Sequence, residues 1–290
     1  MDRRSFLAGL ALLSAAGCIP RKSALTVGSK NFTEQLVLGE LLAQVLESVC
    51  RQPVERRFYL TGTYICHQAL LAGRIDVYVE YTGTALAAIL KEHPSGDSQS
   101  VYRQVKEQYL HKFGLDVMPP LGFNNSFAMV VRADSAREQG VRTLSQAAGR
   151  PRPWSLGVGY EFTQRPDGLD GLVQTYGLRL SGPPVAMDLG LLYPALQGKR
   201  IEMAAANATD GMLARPEFTV LEDDRHYFPP YECAIAVRQE ILERYPRLLA
   251  VLAELSGRIS DSAMRRMNGA VDVDHRPATD VARDFLKQWK

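Results

Sequence analysis

The chain has 290 residues, 46% hydrophobic and 23% charged, with 34 basic side chains against 32 acidic ones. That length allows one or two domains, and a net charge of +2 supplies neither a broad basic field for nucleic acid nor an acidic tail. The ample apolar fraction and the lack of any low-complexity tract exclude a disordered chain, leaving a globular protein with an unusual first twenty residues.

Residues 1–18 read MDRRSFLAGLALLSAAGC, with Arg3 and Arg4 ahead of an apolar run from Phe6 to Leu13 and then small residues up to Cys18. The run is too short to cross a bilayer, which takes roughly 20 apolar residues, so residues 1–17 are expected to be a removable export signal. Ala15-Ala16-Gly17-Cys18 resembles a lipobox, which makes Cys18 the expected lipidation site and a lipid the only membrane attachment. Arg3-Arg4-Ser5-Phe6-Leu7 also resembles a twin-arginine export motif, and the alternative is an ordinary secretory signal with a coincidental cysteine. Losing Arg3, Arg4 and Asp2 takes the net charge from +2 to +1. Ile19 to Ala24 reads as a short tether. Cys50, Cys66 and Cys233 match no zinc or redox spacing; one disulfide with a free thiol and three buried thiols are equally open.

From residue 25 the pattern is strand–helix alternation. Leu25 to Gly28 reads as a strand, and Asn31 with Glu34 as a capping box opening a helix whose stripe is Leu38, Leu41, Leu42, Val45, Leu46 and Val49. Val54 to Leu60 is a second strand, 63–72 a helix stopped by Gly73, and Ile75 to Val79 a third strand. The middle repeats this grammar: a strand at Leu156 to Val158, a helix from Gly168 to Tyr176, a strand at Val185 to Met187, a helix from Gly190 to Gln197 and a strand at Ile201 to Ala206. Two short apolar runs, Phe127 to Val131 and Ala234 to Val237, bracket that block, each preceded by a turn rich in aromatic residues and in proline or asparagine. Helices at Gln239–Leu255, Arg258–Met267 and Thr279–Lys290 end the chain. Such alternation predicts α/β architecture with a mostly parallel sheet. One α/β block set inside another implies two lobes: residues 24–122 with 232–290, and residues 123–231 between them. Ligands of such folds bind in the crevice at strand carboxyl ends.

Gly28-Ser29-Lys30-Asn31-Phe32-Thr33-Glu34-Gln35 resembles the opening signature of the solute-binding proteins of ABC importers for quaternary amines. Ile75 to Thr84, Arg165-Pro166-Asp167-Gly168 and Pro229-Pro230-Tyr231 agree with it in order and spacing, from about residue 24 to the end. The resemblance implies a type II periplasmic-binding-protein-like fold hinged by two crossover strands. It also implies a ligand such as glycine betaine, choline, carnitine or a related betaine, delivered to an ABC permease. A trimethylammonium group donates no hydrogen bond and is held best by aromatic faces, while a ligand carboxylate calls for Arg or Lys. By motif, Tyr81 and Tyr231 match cage aromatics, Thr84 the hydroxyl beside the first, and Lys30 and Arg165 the groups that meet the ligand's anionic end. Asn125 matches a residue whose backbone carbonyl faces the cation. Phe127 stands where the family usually has Tyr, keeping the π face without the hydroxyl, and Asn207 replaces a cage Tyr by a polar amide. That exchange points to a bulkier or more polar betaine, or to a ligand with a hydroxyl or ring.

Read as ordinary residues, Lys30 is a solvated lysine, Arg165 a surface partner of Asp167 or Asp170, and Tyr81 a strand-end packing residue. Tyr64, Tyr78, Tyr160, Phe162 and Tyr193 are expected in the core or at the rim, and His67 on a helix face. Neither G-x-S-x-G nor H-E-x-x-H occurs and the five histidines are scattered, which argues against an exported hydrolase. A sensor lobe acting through a separate receptor is the other alternative. The sequence thus predicts a monomeric, extracytoplasmic lipoprotein that binds a quaternary ammonium compound, without catalytic residues, metal, cofactor or nucleic acid.

Overall fold

A computed structural model describes residues 24–92 and 97–289; the proposed export signal and Cys18 lie outside them. The elements run β1 (Leu25–Gly28), α1 (Thr33–Cys50), β2 (Val54–Arg57), α2 (Thr63–Leu71) and β3 (Val77–Tyr81). A helical turn α3 (Thr82–Thr84) passes directly into a π-helix over Ala85–Leu90, followed by α4 (Ser98–Phe113) and β4 (Leu115–Val117). Next come β5 (Phe127–Arg132), α5 (Ala133–Gln139), α6 (Leu144–Ala148), β6 (Leu156–Val158), α7 (Leu169–Tyr176), β7 (Val185–Ala186), α8 (Leu192–Gln197), β8 (Met203–Asn207) and β9 (Phe218–Leu221). The chain closes with β10 (Cys233–Arg238), α9 (Gln239–Arg244), α10 (Pro246–Glu254), α11 (Asp261–Asp272) and α12 (Ala278–Trp289).

Two five-stranded sheets result, β2-β1-β3-β10-β4 and β7-β6-β8-β5-β9. In each, four of the five strands run the same way, as the pattern reading expects, and one is reversed. The strands that follow a connection of the usual strand–helix kind are parallel, β1 with β2 and β3, and β6 with β7 and β8. β5 and β10 arrive instead from the other sheet and run against their neighbours, β5 against β8 and β9, and β10 against β3 and β4. Each is the strand just after a crossing. The two crossings lie side by side: Asn124 and Glu232 form an antiparallel bridge, Asn125 N–H donates to the Tyr231 carbonyl at 3.1 Å, and Tyr231 N–H donates to Asn124 Oδ1 at 2.6 Å.

Each sheet is buried on both faces. β1, β3 and β10 carry near-continuous apolar runs because α1, α10, α11 and α12 cover one face of the first sheet, with Leu38, Leu42, Ile235 and Leu252 packed together. α2, α4 and the π-helix cover the other around Leu70, Tyr78, Leu86 and Tyr109. The second sheet has Trp154, Leu172 and Met203 on one side, and Leu192, Leu196 and Ile201 on the other.

Local departures from expectation have physical causes. The Asn31–Glu34 capping box does not form: α1 starts one residue later, its N-cap is Phe32 with no side-chain cap, and Glu34 turns inward. The single helix expected over 239–255 is two, because Pro246 lacks the N–H a continuous helix needs and starts α10 as its first residue. The third strand begins at Val77 because Asp76 turns its carboxylate back to Thr26 N–H at 2.8 Å, closing the loop before the ladder starts. Cys50, Cys66 and Cys233 are all free thiols, and burial pushes Cys66 up to about 12. His67 is buried edge-on between Tyr109 and Phe113, and Tyr78 is fully buried, so both are packing residues.

Candidate functional site

Between the sheets lies a cavity of about 100 Å³, of the order of those that hold one small organic molecule. All eight residues singled out from the sequence line it: Lys30, Tyr81, Thr84, Asn125, Phe127, Arg165, Asn207 and Tyr231. They come from strand ends and from the turns after them. Lys30 follows β1, Tyr81 ends β3, Phe127 opens β5, Asn207 ends β8, and Tyr231 stands in the second crossing just before β10.

The rings converge because the backbone approaches closely behind them. The backbone at Gly83 passes so near the second crossing that a Cβ there would lie 2.5 Å from the Pro230 carbonyl and 2.8 Å from the Tyr231 ring. Gly83→Ala must displace Tyr231 or the crossing, and is expected to cost about 1–3 kcal/mol, read as a lowered Tm and a weakened affinity for any bound amine. Phe127 meets Tyr231 edge-on at 5.7 Å, with Phe162 at 4.9 Å and Phe228 at 5.6 Å, while Phe32 stacks against Tyr81 at 6.4 Å. The Phe127 side chain has no polar atom to satisfy, which suits its contacts with these three rings. Asn207 is its cross-strand partner, and the Asn207 amide Nδ2 faces Asp210 Oδ1 at 3.4 Å.

Neither basic residue is solvated. Lys30 is buried, with Nζ 2.5 Å from Glu80 Oε1 and 5.0 Å from the centre of the Tyr81 ring. Glu80 is held by Tyr78 Oη at 2.9 Å and Tyr81 N–H at 2.8 Å. Arg165, 7% exposed, makes a fork–fork pair with Asp167 and donates from Nη1 to Thr84 Oγ1 at 3.0 Å, a bond from one sheet's segment to the other's. Its guanidinium lies 5.0 Å from the Phe127 ring centre and 5.7 Å from that of Tyr231. Burial works against the Arg165 charge, but the hydrogen bonds and charge of Asp167 more than offset this and raise its pKa above the ordinary value. Tyr231 Oη donates to Asp167 at 2.6 Å. Arg165 does pair with Asp167, as a surface reading of the sequence has it, yet the pair is buried and reaches the cavity.

With both cations matched by carboxylates, the charge left over is acidic. Glu161 is half-buried at the cavity wall, and its carboxylate has no ion pair or hydrogen bond among the described residues. A Cβ on Gly62 would lie 2.5 Å from its Oε1, so it reaches across to the start of α2. Tyr160 and Phe162 line the cavity as rim and wall, Met187 and Leu189 extend it, and the buried Thr63 hydroxyl beside it has no partner among the described residues.

Glu34 is the residue that sequence reasoning missed. It is fully buried and takes four donors: Tyr81 Oη at 2.6 Å and Asn125 Nδ2 at 2.8 Å on Oε1, then Thr209 Oγ1 at 2.5 Å and Asn268 Nδ2 at 3.1 Å on Oε2. Burial pushes its pKa up, and the hydrogen bonds from Thr209, Tyr81, Asn268 and Asn125 pull it back. The Asn125 side chain is thereby committed to Glu34 and, through its Oδ1, to Thr209 N–H. The signal was available: Glu34 occurs on the apolar side of α1, between Phe32 and Leu38, where an acid without a partner is costly.

Residues 23–288 match the family described as OpuAC, the substrate binding domain of ABC-type glycine betaine transport systems. The chain belongs to this family. A glycine-betaine-binding protein of Pseudomonas aeruginosa is 31% identical over 300 residues, covering 98% of this chain and 94% of that protein. The ergothioneine transport permease/ergothioneine binding protein EgtU of Helicobacter pylori is 33% identical over 285 residues; this covers 96% of the chain, which spans about half (51%) of that longer protein. A crystal structure of a glycine betaine/carnitine/choline ABC transporter superposes with a TM-score of 0.74 at 28% identity, covering 91% of this chain and 98% of that one. The OpuAC fold is thus the type II periplasmic-binding-protein arrangement, with two lobes and two crossings. Among the described residues no helix is long and apolar enough to cross a membrane.

Proposed function

We propose that the protein captures a quaternary ammonium compound outside the cytoplasmic membrane and hands it to an ABC permease. Residues 24–122 with 232–290 act as one lobe and 123–231 as the other, and Cys18 carries the lipid that keeps the monomer at the membrane. The observation that carries this reading is the closing of Tyr81, Phe127 and Tyr231 around a small cavity whose two cations are already paired with Glu80 and Asp167. Such a site has aromatic faces and unmatched acid to offer a cation. The unused donors of Lys30 and Arg165 receive a ligand carboxylate, with Thr84 beside them.

Within that class, a betaine longer than glycine betaine fits better. The cavity runs past the rings to Thr63, Glu161, Met187 and Leu189, and Asn207 offers an amide where a ring would close the wall. The H. pylori relative is named for ergothioneine, a betaine that carries a ring. Calorimetry against glycine betaine, proline betaine, carnitine, choline and larger amino-acid betaines tests both levels. Heat from one or more is expected, and none from any would remove the capture reading. Asn207→Tyr is expected to move the preference toward the smallest betaine by about tenfold or more, the worth of roughly one cation–π face; an unchanged ranking would count against the longer ligand.

A further inference from the structure

We propose that Glu34 is the positioning residue of the ligand cage, its carboxylate pinning the loop after β8 in the second lobe to the Tyr81 ring of the first. This rests on the capture function above. Each oxygen of Glu34 joins the two lobes: Oε1 takes the Tyr81 hydroxyl together with Asn125 from the first crossing, and Oε2 takes Thr209 from the β8 loop together with Asn268 of α11. A carboxylate offers about four acceptor positions, and here four donors converge on them. Among the described residues no cation shares the load, because Lys30 is taken by Glu80 and Arg165 by Asp167.

The arrangement is cross-linked. Thr209 N–H leans on Asn125 Oδ1 at 3.4 Å, and Asn268 also donates to the Thr209 carbonyl at 2.8 Å. Two residues past Thr209 the chain lies so close to α11 that a Cβ on Gly211 would meet Gly269 and Asn268 backbone. Asn207, which faces the ligand, is two residues before Thr209. Tyr81, Asn125 and Asn207, three walls of the cavity, therefore take their spacing from one buried carboxylate. A carboxamide cannot replace it, since in either orientation Glu34→Gln would turn its NH2 toward the Nδ2 of Asn125 or of Asn268, which can only donate.

Three variants test this: Thr209→Val, which keeps shape and drops one donor, Thr209→Ser, which restores it, and Glu34→Gln. In the ligand-free protein, Thr209→Val is expected to speed amide exchange within 207–214 and 261–272 by tenfold or more, with the rest of both sheets unchanged and Thr209→Ser like the wild type. Unaltered exchange there would overturn the proposal. For binding, Tyr81→Phe and Thr209→Val should each weaken the affinity of the betaine that the panel identifies about tenfold or more, and neither should add to the loss in a Glu34→Gln background. Independent effects in that background would overturn it as well. If the wild type binds none of the panel, the capture reading fails by itself, and the exchange measurement still decides whether Glu34 pins the loop. If Glu34→Gln does not fold, Thr209→Val against Thr209→Ser carries both comparisons.

Discussion

Replacing Arg165 by alanine is expected to cost about 3–5 kcal/mol of folding stability as well as the ligand, the usual cost of leaving half of a buried ion pair behind. Among the described residues Asp167, 6% exposed, would keep only the Tyr231 hydroxyl for a partner, and Thr84 would lose its link across the cleft. Phe127 and Tyr231 would lose the guanidinium over their faces. Denaturant unfolding of the ligand-free protein measures the first effect and calorimetry the second. Arg165→Lys keeps the charge but not the fork that Asp167 grips at both Nε and Nη2, so a loss of a large part of the stability is expected there too. Replacing Arg165 and Asp167 together by apolar residues of similar volume separates the roles: stability should largely return and binding should not. A fully stable Arg165→Ala protein would show that the pair is not buried in solution.

Raising the pH from about 4 to 7 is expected to weaken the fold by about 2–4 kcal/mol through Asp210. Burial, with Glu34 and Asp272 as like charges nearby, pushes Asp210 up to about 7, against hydrogen bonds from Asn207 N–H and the Tyr193 hydroxyl that favour the charged form. The unfolded chain releases this proton near pH 4 and the folded one near 7. Between those values the folded state holds the extra proton, and its stability falls as the pH climbs. Burial raises Glu34 and Asp272 as well, adding to the same slope. Glu47 and Glu202 act the other way: Arg56 holds Glu47 low against a smaller effect of burial, and for Glu202 burial is outweighed by Arg150 and Ser155; both are partly exposed, so their share is small. Unfolding midpoints at pH 4.5 and 7.5 should show the loss in the wild type and much less of it in Asp210→Asn. Equal pH slopes in the two proteins would assign the effect elsewhere.

The parts of this molecule that could be read in advance are those encoded locally. β1, β6, α2 and α7 sit within a residue or two of where apolar spacing and glycine stops put them, because their signals lie inside the segments themselves. Every residue carried over by motif lines one cavity. What stayed hidden are pairings between distant positions. On sequence alone Lys30 reads as a solvated lysine because Glu80 is fifty residues away, and Glu34 as a cap because its donors come from positions 81, 125, 209 and 268. The direction of β5 and β10 was hidden for the same reason: strand sense depends on where the chain has just been, which periodicity does not record. The π-helix at Ala85–Leu90 carries no pattern of its own in six small or aliphatic residues.

The paired crossings have a mechanical consequence. A single extended segment between two bodies would let them swing, twist and slide independently. Two segments laid edge to edge and stitched through Asn124, Asn125 and Tyr231 behave as a flat strap, which folds readily about one axis and resists rotation about its length. With one soft coordinate instead of three, far fewer wrong relative orientations compete with the one that brings Arg165 to Thr84, and less entropy is lost when the ligand selects it. Tyr231 lies in the strap itself. A swing of the halves about this strap would displace its ring least, making it a fixed post for the other walls.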